Sequence, residues 1–575
     1  MTRHSTSRPR HRTTVWAAAL AAASLAAAGL LAPGAQATSP RGMADLAQRP
    51  VATTATPSQV VAPVPVLDWQ PCFSMRRAPR SVATATAAAA ARAPTLLCTT
   101  ARVPLDYDDP TGPTTRLFLS KLPASHPAQR IGSLFVNPGG PGGNAAGFAP
   151  YAAHLLGAGV HQRFDVIGID PRGVGGSVQV QCHTADRPVP YPNAAFPWTP
   201  GQVKVQLRYN AHLRHTCAAG GNAILDHMTT ADTARDMDLI RQAVGEARLS
   251  YYGISYGSYL GATYAAMFPD RIRAMIVDGV LDPVAWSTGR SGLGDKLPFS
   301  TRLRSGVGAW DALVSAFDEC DRVGKQRCLL SGTAQQKWLR IVHLLKRHPV
   351  MTDEGVVRYP DVIGYTLGPL YDRAGYRYLM RDIQRVYRSL FGPDAKLSPA
   401  QAMLSLKHLG ERAARRNGGP FGSDAWRSYA YPSFEGVACS DSVNPDKPTA
   451  WIRAGKIADS QGPWFGRLWT WLSSPCARWP GSSADAFRGP WRTRTSAPLL
   501  VVGNFHDPAT PISGARHVNS LFRGSRLMTL RTWGHGALSQ SQCITTRYSR
   551  YLLNVDLPVQ GLVCAPDKAL FPARQ

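Results

Sequence analysis

Between residues 132 and 280 the sequence alternates short, almost wholly apolar runs with longer stretches of helical periodicity. The apolar runs are GSLFVN (132–137), FDVIGID (164–170), LSYYGIS (249–255) and IRAMIVDGV (272–280). Strands that are apolar along their whole length are buried on both faces, as in a parallel sheet with helices on either side. One intervening stretch, residues 230–247, carries apolar side chains at helical spacing. The alternation therefore predicts an α/β fold, a mostly parallel sheet covered by helices on both faces.

The alternation stops near Pro283 and resumes with the strand-like run APLLVVGNFHD at residues 497–507. Amphipathic segments such as WDALVSAFDEC and AQQKWLRIVHLLKRH lie between them. Because a sheet of this kind needs its final strands, we interpret 284–496 as a helical lid inserted into one core, made of 66–283 and 497–575. Two separate domains are the alternative interpretation.

A G-x-S-x-G pattern, GISYG at residues 253–257, lies where the third apolar run meets a helical stretch. So short a pattern arises by chance, and its position between a strand and a helix is what gives it meaning. A tight turn there exposes Ser255 at the carboxyl edge of the sheet, and the following helix N-terminus favours a developing negative charge. The sequence predicts Ser255 as a nucleophile.

Acyl transfer also needs backbone donors for the oxyanion. The N–H of Tyr256, next to the nucleophile, is one candidate. The glycine-rich stretch NPGGPGG (137–143) follows an earlier buried strand and contains the second candidate, Gly140. Read alone, this stretch is a plain turn, but its place upstream of the Ser255 turn favours an oxyanion loop.

The acid and the base are expected in the order Ser, Asp, His along the chain. Asp507 ends the strand of 497–507, and Asp278 after the strand of 272–280 is the rival acid. His535 lies between two glycines in RTWGHGAL (531–538), and His506 is the rival base. The predicted triad is Ser255, Asp507 and His535.

The net charge of +27 raises the question of nucleic-acid binding. The basic residues are scattered, however, with no zinc-finger spacing and no interleaving of aromatic and basic residues. The charge instead indicates a basic surface that favours anionic surroundings. We expect no nucleic-acid partner.

The first 37 residues have the order of a secretory signal peptide. A basic stretch up to Arg12 precedes the apolar run 15–31, and Ala35-Gln-Ala37 is a small-x-small cleavage pattern. The run is shorter than a membrane-spanning helix requires. We expect cleavage after about Ala37, a flexible leader or pro-segment over 38–65, secretion, and no stable membrane insertion.

Ten cysteines fit an exported protein, in which an even number indicates disulfides. None of them forms C-x-x-C, which disfavours a structural zinc site. Sequence does not fix the connectivity, but pairing neighbours along the chain is the economical choice. That choice gives Cys72–Cys98, Cys182–Cys217, Cys320–Cys328, Cys439–Cys476 and Cys543–Cys564.

Taken together, several of these motifs resemble the secreted bacterial tripeptidyl aminopeptidases, serine exopeptidases of the α/β-hydrolase superfamily related to proline iminopeptidases. The matching pieces are NPGGPGG, FDVIGIDPRGVGGS, YYGISYGSYLGATYAAMFPDRIRAMIVDGVLDP, ACSD (438–441), HDPATP (506–511), WGHGALSQSQC and LPVQGLVC. They spread over almost the whole mature chain, whereas residues 284–434 match little.

The resemblance implies an α/β-hydrolase fold and the roles already assigned to Ser255, Asp507 and His535, with Gly140 and Tyr256 as oxyanion donors. It implies that Thr510 supports the acid, and it supports the pairing Cys543–Cys564. It implies no metal and no organic cofactor. The expected substrates are peptides with free N-termini, cut so that short peptides (tripeptides) are released.

A carboxylesterase or lipase using the same triad is the alternative function, and a binding protein on an inactive hydrolase fold is a third. A peptidase that recognises a free α-amino group needs carboxylates to pair it, whereas an esterase needs an apolar acyl pocket. Glu435, just before the ACSD element, and Asp441, the last residue of that element, are the predicted partners of the amine.

Overall fold

The computed structural model describes residues 62–72, 95–182, 194–393, 396–417 and 432–573, together with residues 189 and 192. All of them belong to one compact unit, 57–575. The predicted signal peptide, most of the predicted leader and the alanine-rich stretch 83–93 lie outside the described residues.

Fourteen strands occur in the described residues. In chain order they are β1 (Gln70–Pro71), β2 (Leu97–Pro104), β3 (Thr114–Leu122), β4 (Gly132–Asn137), β5 (Phe164–Asp170), β6 (Leu249–Ile254), β7 (Ile272–Asp278), β8 (Val350–Thr352), β9 (Gly355–Val357), β10 (Thr493–Arg494), β11 (Leu500–His506), β12 (Phe522–Arg523), β13 (Arg526–Trp533) and β14 (Leu562–Cys564).

Seventeen α-helices accompany them in the same part of the chain. They are α1 (Ala145–Leu155), α2 (Val160–Arg163), α3 (Pro200–Gly220), α4 (Thr230–Ala243), α5 (Tyr256–Met267), α6 (Pro283–Trp286), α7 (Phe299–Arg302), α8 (Ser305–Val323), α9 (Ala334–Leu345), α10 (Tyr359–Leu370), α11 (Arg373–Phe391), α12 (Pro399–Asn417), α13 (Ser433–Asp441), α14 (Ala450–Gln461), α15 (Gly466–Leu472), α16 (Ile512–Leu521) and α17 (Gln542–Asn554).

Ten strands form one sheet in the order β1-β2-β3-β5-β4-β6-β7-β11-β13-β14. The seven from β5 to β14 run parallel, and β3, β2 and β1 extend the β5 edge by antiparallel pairing. The predicted α/β fold with a mostly parallel sheet is therefore confirmed.

Consecutive residues of the central strands enter different apolar clusters. In β6, Tyr251 belongs to the cluster that contains α4 and α5, and Tyr252 belongs to the one that contains α1 and α17. In β11, Val501 and Leu500 divide in the same way. Because both faces of the sheet are covered, successive side chains on these strands must all be apolar. This is why the strands were readable in the sequence.

The predicted helix over 230–247 is shorter than expected. It is α4, which ends at Ala243, and Gly245 follows with φ of 79°. The apolar periodicity continues beyond the residue at which the backbone leaves the helix. Gly245 was the sequence signal for the end of the helix.

Between β7 and β11 the described chain is mainly helical, from α6 to α15, with the small hairpin β8–β9. These helices share a third apolar cluster that includes Trp338, Ile363 and Trp451. Ala509, in the turn after β11, is also part of it, so this cluster reaches the carboxyl edge of the sheet. We propose to keep 284–496 as a lid on a core made of 66–283 and 497–575.

All ten cysteines form disulfides, and the five pairings are those expected from neighbours along the chain. Cys439–Cys476 joins α13 to the segment after α15, and Cys543–Cys564 joins α17 to β14. The described residues contain no helix with the length and hydropathy that crossing a membrane would require.

Candidate active site

Ser255 occupies a strained turn between β6 and α5. Its backbone has φ of 61° and ψ of −127°, an arrangement that a non-glycine residue adopts only when its surroundings enforce it. The N–H of Ser255 donates to the carbonyl of Asp278 at 2.9 Å. A Cβ on Gly253 would lie 2.3 Å from the carbonyl oxygen of Gly257, so the turn tolerates no side chain there. The geometry is that of a nucleophile elbow.

Asp507 and His535 form a buried pair. Nδ1 of His535 lies 3.0 Å from both carboxylate oxygens of Asp507. The same carboxylate accepts the backbone N–H groups of Ala509, Thr510 and Gly536. With Nδ1–H donated to Asp507, the neutral ring keeps Nε2 free to accept a proton.

The two groups shift each other's pKa in opposite directions. Burial by itself would raise the pKa of Asp507, but the charge of His535 and the hydrogen bonds hold it below its ordinary value. Burial would likewise lower the pKa of His535, but the charge and hydrogen bond of Asp507 and the charge of Asp278 raise it above its ordinary value. Asp507 is therefore ionised at neutral pH, and His535 is a stronger base than a free imidazole.

His535 and Ser255 each contact the chain at the end of β7. A Cβ on Gly279 would lie 3.2 Å from Cε1 of His535, and the preceding carbonyl, that of Asp278, holds the Ser255 N–H. No hydrogen bond joins Ser255 Oγ to the ring in the part of the chain that the structure describes. Such contacts are often long without substrate and shorten when it binds.

The rival residues have other partners. Asp278 accepts hydrogen bonds from Ala537 N, Tyr252 Oη and Tyr548 Oη. His506 bonds Asp311 through Nδ1 at 2.8 Å and stacks on Trp533. Of the pairs considered, the structure brings together Asp507 and His535.

Two further residues contact the base. Thr510 Oγ1 lies 3.2 Å from Nδ1 of His535, next to the carboxylate that Thr510 N also binds. Tyr371, just after α10, places its ring edge-on to the imidazole at 5.1 Å and accepts the His535 N–H at its carbonyl. Sequence reasoning missed Tyr371, because no motif distinguished it within the lid.

The glycine-rich loop after β4 packs directly on the Ser255 turn. A Cβ on Gly139 would lie 2.8 Å from both Ser255 Cβ and Tyr256 N. The Gly139 N–H already donates to Asn137 Oδ1 at 2.8 Å. Among the described residues, the N–H groups of Gly140 and Tyr256 have no protein acceptor. They remain the expected oxyanion donors.

Comparison with known proteins agrees with this geometry. Residues 132–301 match a family described as "alpha/beta hydrolase fold", and residues 462–564 match one described as "TAP-like protein". The chain has an α/β-hydrolase fold.

Three relatives of this α/β-hydrolase are each 29% identical to it. Tripeptidyl aminopeptidase from Streptomyces lividans aligns over 513 residues, 87% of each chain. Carboxylesterase B from Mycobacterium tuberculosis aligns over 486 residues, 82% of this chain and 87% of its own. Serine protease Hip1 from the same organism aligns over 493 residues, 81% and 87%.

Helix α13 of this α/β-hydrolase rests on the glycine-rich loop. A Cβ on Gly142 would lie 3.5 Å from Ser433 Cβ, and Ser433 Oγ donates to the carbonyl of Gly173 at 2.7 Å. Glu435 is two residues further along, half-buried, and burial raises its pKa. It has no cationic partner among the described residues, in a chain with 64 Lys and Arg against 37 Asp and Glu.

Asp441, at the other end of α13, lies in a different environment. Its side chain is 1% exposed and accepts Thr230 N at 2.7 Å, Thr230 Oγ1 at 2.6 Å and Trp286 Nε1 at 3.3 Å. Burial raises the pKa of Asp441 to about 7. Because protein donors already occupy the Asp441 carboxylate, Glu435 is the better suited of the two expected partners of the amine.

One group of metal-ligand type occurs in the described residues. Ligand atoms of Asp106, His227 and Asp485 lie within 4.8 Å of one another. None of the three shares a hydrogen bond with Ser255, Asp507 or His535 in the described contacts. The chemistry of a serine nucleophile with a histidine base does not require a metal.

Proposed function

We propose that the protein is a secreted serine aminopeptidase that releases short peptides, of three residues, from free N-termini. The observation that carries the proposal is the placement of Glu435 on α13, a helix that contacts the glycine-rich loop through Ser433, while that loop packs on the Ser255 turn. The alignment with a tripeptidyl aminopeptidase along 87% of both chains supports it. Five disulfides support an oxidising, extracellular location.

Each group has a defined part in the reaction. Ser255 Oγ attacks the scissile carbonyl while Nε2 of His535 takes its proton, and Asp507 stabilises the imidazolium that forms. The N–H groups of Gly140 and Tyr256 bind the oxyanion. His535 then returns the proton to the leaving amine. The acyl-enzyme carries the N-terminal peptide until a water molecule, activated by His535, hydrolyses it.

Glu435 determines how many residues are released from the substrate's N-terminus. An ammonium group in a lid-covered cleft is costly to desolvate unless a carboxylate meets it. An extended tripeptide spans roughly 10 Å, so a carboxylate at a fixed distance from Ser255 sets how many residues are released. A half-buried acid with no cationic partner among the described residues is suited to this role.

An esterase is the second candidate, because Carboxylesterase B aligns as extensively as the peptidases do. The same triad and oxyanion donors cleave esters, whose leaving groups depart more readily. An esterase would have no use for a carboxylate at position 435 that lacks a cationic partner in the described part of the chain.

The deciding experiment compares free and N-acetylated di-, tri- and tetrapeptide amides with short-chain esters. We expect the free tripeptide to be preferred, and acetylation to lower its kcat/KM by roughly 100-fold or more. Ser255→Ala is the background control and should turn over none of them. Equal rates on free and acetylated peptides would leave the esterase as the better description.

A further inference from the structure

Asp278, at the end of β7, is a fully buried carboxylate that the proposed mechanism does not use. Its oxygens accept Ala537 N at 2.9 and 3.1 Å, and Oδ2 also accepts the hydroxyls of Tyr252 and Tyr548, each at 2.9 Å. Every one of these partners is a donor in its bond to Asp278. Burial raises the pKa of Asp278, whereas the hydrogen bonds from these donors act against that rise and favour the ionised, acceptor form.

The same residue contacts both halves of the site. Its backbone carbonyl holds the N–H of Ser255, and its side chain holds the N–H of Ala537, two residues after the base. Asp507 holds the N–H of Gly536, between them. The loop that carries His535 is thus held by two carboxylates on consecutive N–H groups, and one of these residues is also bonded to the elbow.

The two tyrosines come from different layers of the fold. Tyr252 lies on β6, three residues before the elbow, and Tyr548 lies on α17. Both side chains are fully buried, and their rings lie 5.8 Å apart. They fix the carboxylate from β6 and from the helical layer that packs on the sheet.

We propose that Asp278 is a positioning residue: it links the loop of the base to the elbow of the nucleophile, and it places a second negative charge beside the imidazole. The proposal rests on the assignment of Ser255 and His535 in the proposed function, and it applies to ester and peptide substrates alike.

The charges that act on His535 can be named. Asp507 acts from the end of β11 and Asp278 from the end of β7, and both raise the pKa of His535 against the effect of its burial. Tyr371 contacts the ring from the lid, and burial raises its pKa, so it is neutral. Burial likewise raises the pKa of Tyr252 and Tyr548. Removing the charge of Asp278 therefore lowers the pKa of His535.

The first test is the pH profile of Asp278→Asn with a small neutral ester. The rising limb of kcat/KM reports the loss of a proton from His535. We expect kcat to fall roughly tenfold and the limb to move to lower pH by about half a unit or more. A purely structural role would lower activity and leave the limb where it is. An unmoved limb overturns the proposal.

The second test leaves the charge in place. Tyr548→Phe removes one hydroxyl from Asp278, whereas Tyr551→Phe removes an equally buried hydroxyl of α17 that binds the backbone of Met275 and Pro498. We expect Tyr548→Phe to lower kcat roughly three- to tenfold with KM unchanged, and Tyr551→Phe to leave kcat unaltered.

Equal kcat values for Tyr548→Phe and Tyr551→Phe overturn the proposal. This second test still decides the question if Asp278→Asn does not fold. The rate at which a fluorophosphonate labels Ser255 gives the same comparison without any peptide. A labelling difference between Tyr548→Phe and Tyr551→Phe would uphold the role of Asp278 even if free and acetylated peptides reacted equally, which is the outcome that counts against the aminopeptidase.

Discussion

At the scale of single residues, the hydrogen bonds of Asp507 fix the orientation of the His535 ring. It is fully buried, and it accepts hydrogen bonds from the ring of His535 and from the backbone of Ala509, Thr510 and Gly536. An amide in its place would donate where Asp507 accepts and would hold the imidazole in the wrong tautomer.

We therefore expect Asp507→Asn to fold and to lose about 10⁴-fold in kcat on peptide and ester substrates. The matched control is Asp311→Asn, which changes the partner of the other histidine considered, His506. Steady-state kinetics with one ester decides the matter. A large loss in Asp311→Asn and a small one in Asp507→Asn would reverse the assignment.

Glu435 carries the second prediction at this scale. Glu435→Gln removes the charge proposed to meet the substrate amine, so the preference for free over acetylated tripeptide should shrink from roughly 100-fold to a few-fold, while ester hydrolysis stays nearly constant. Glu411→Gln is the control, because Glu411 is also in the lid but has Lys407 as a partner. If the preference survived in Glu435→Gln, the amine would be bound elsewhere.

Among the elements, α13 connects the lid to the core at both ends. Ser433 contacts the glycine-rich loop after β4, and Asp441 bonds the first residue of α4 and the ring of Trp286. The carboxylate of Asp441 has a pKa of about 7 in the fold and about 3.9 in an unfolded chain. The folded protein therefore binds a proton that the unfolded chain releases between these values.

The sign of the effect follows from linkage. Stability from this group is present at low pH and is lost as pH rises towards 7, by roughly 1 kcal/mol per pH unit. The free energy of unfolding, measured with denaturant at pH 5 and pH 7, should thus fall more steeply with pH for the native sequence than for Asp441→Asn. Asp446→Asn, an exposed change just after α13, should follow the native slope. Parallel slopes in all three proteins would contradict the raised pKa.

The sequence predicted the elements that are governed by local pattern. β4, β5, β6 and β7 were readable because they are buried on both faces, and the elbow was readable because a strand and a helix flank Ser255. Tyr371 and the partners of Asp441 were not, because they depend on contacts between segments far apart in the chain. The sequence pattern favoured Asp441 and Glu435 equally as partners of the amine, and only their burial and hydrogen bonding in the structure distinguish the two carboxylates.

At the scale of the whole molecule, each of the five disulfides joins two cysteines within the core or two within the lid, and none links the core to the lid. Cys439–Cys476 closes a separation of 37 residues, whereas Cys320–Cys328 closes one of 8. In the chain-entropy view a longer closed loop restricts the unfolded state more.

We expect the double change Cys439→Ser with Cys476→Ser to lower the free energy of unfolding by about 2–4 kcal/mol. The matched pair Cys320→Ser with Cys328→Ser should cost about 1 kcal/mol less. Equilibrium unfolding in denaturant measures both. A larger loss from the short loop would show that local strain or packing outweighs chain entropy.

The pairing of β11 with β7 joins Leu500 to Ile276, across the whole lid. During synthesis, the lid must therefore be completed before β11 can pair with β7. Until then, the edge of β7 that binds β11 has no partner strand. Asp507 and His535 arrive only with this last section of chain. A nascent or C-terminally truncated chain thus carries the serine elbow without the proposed acid and base, and we expect hydrolytic activity to begin only with the final folding step.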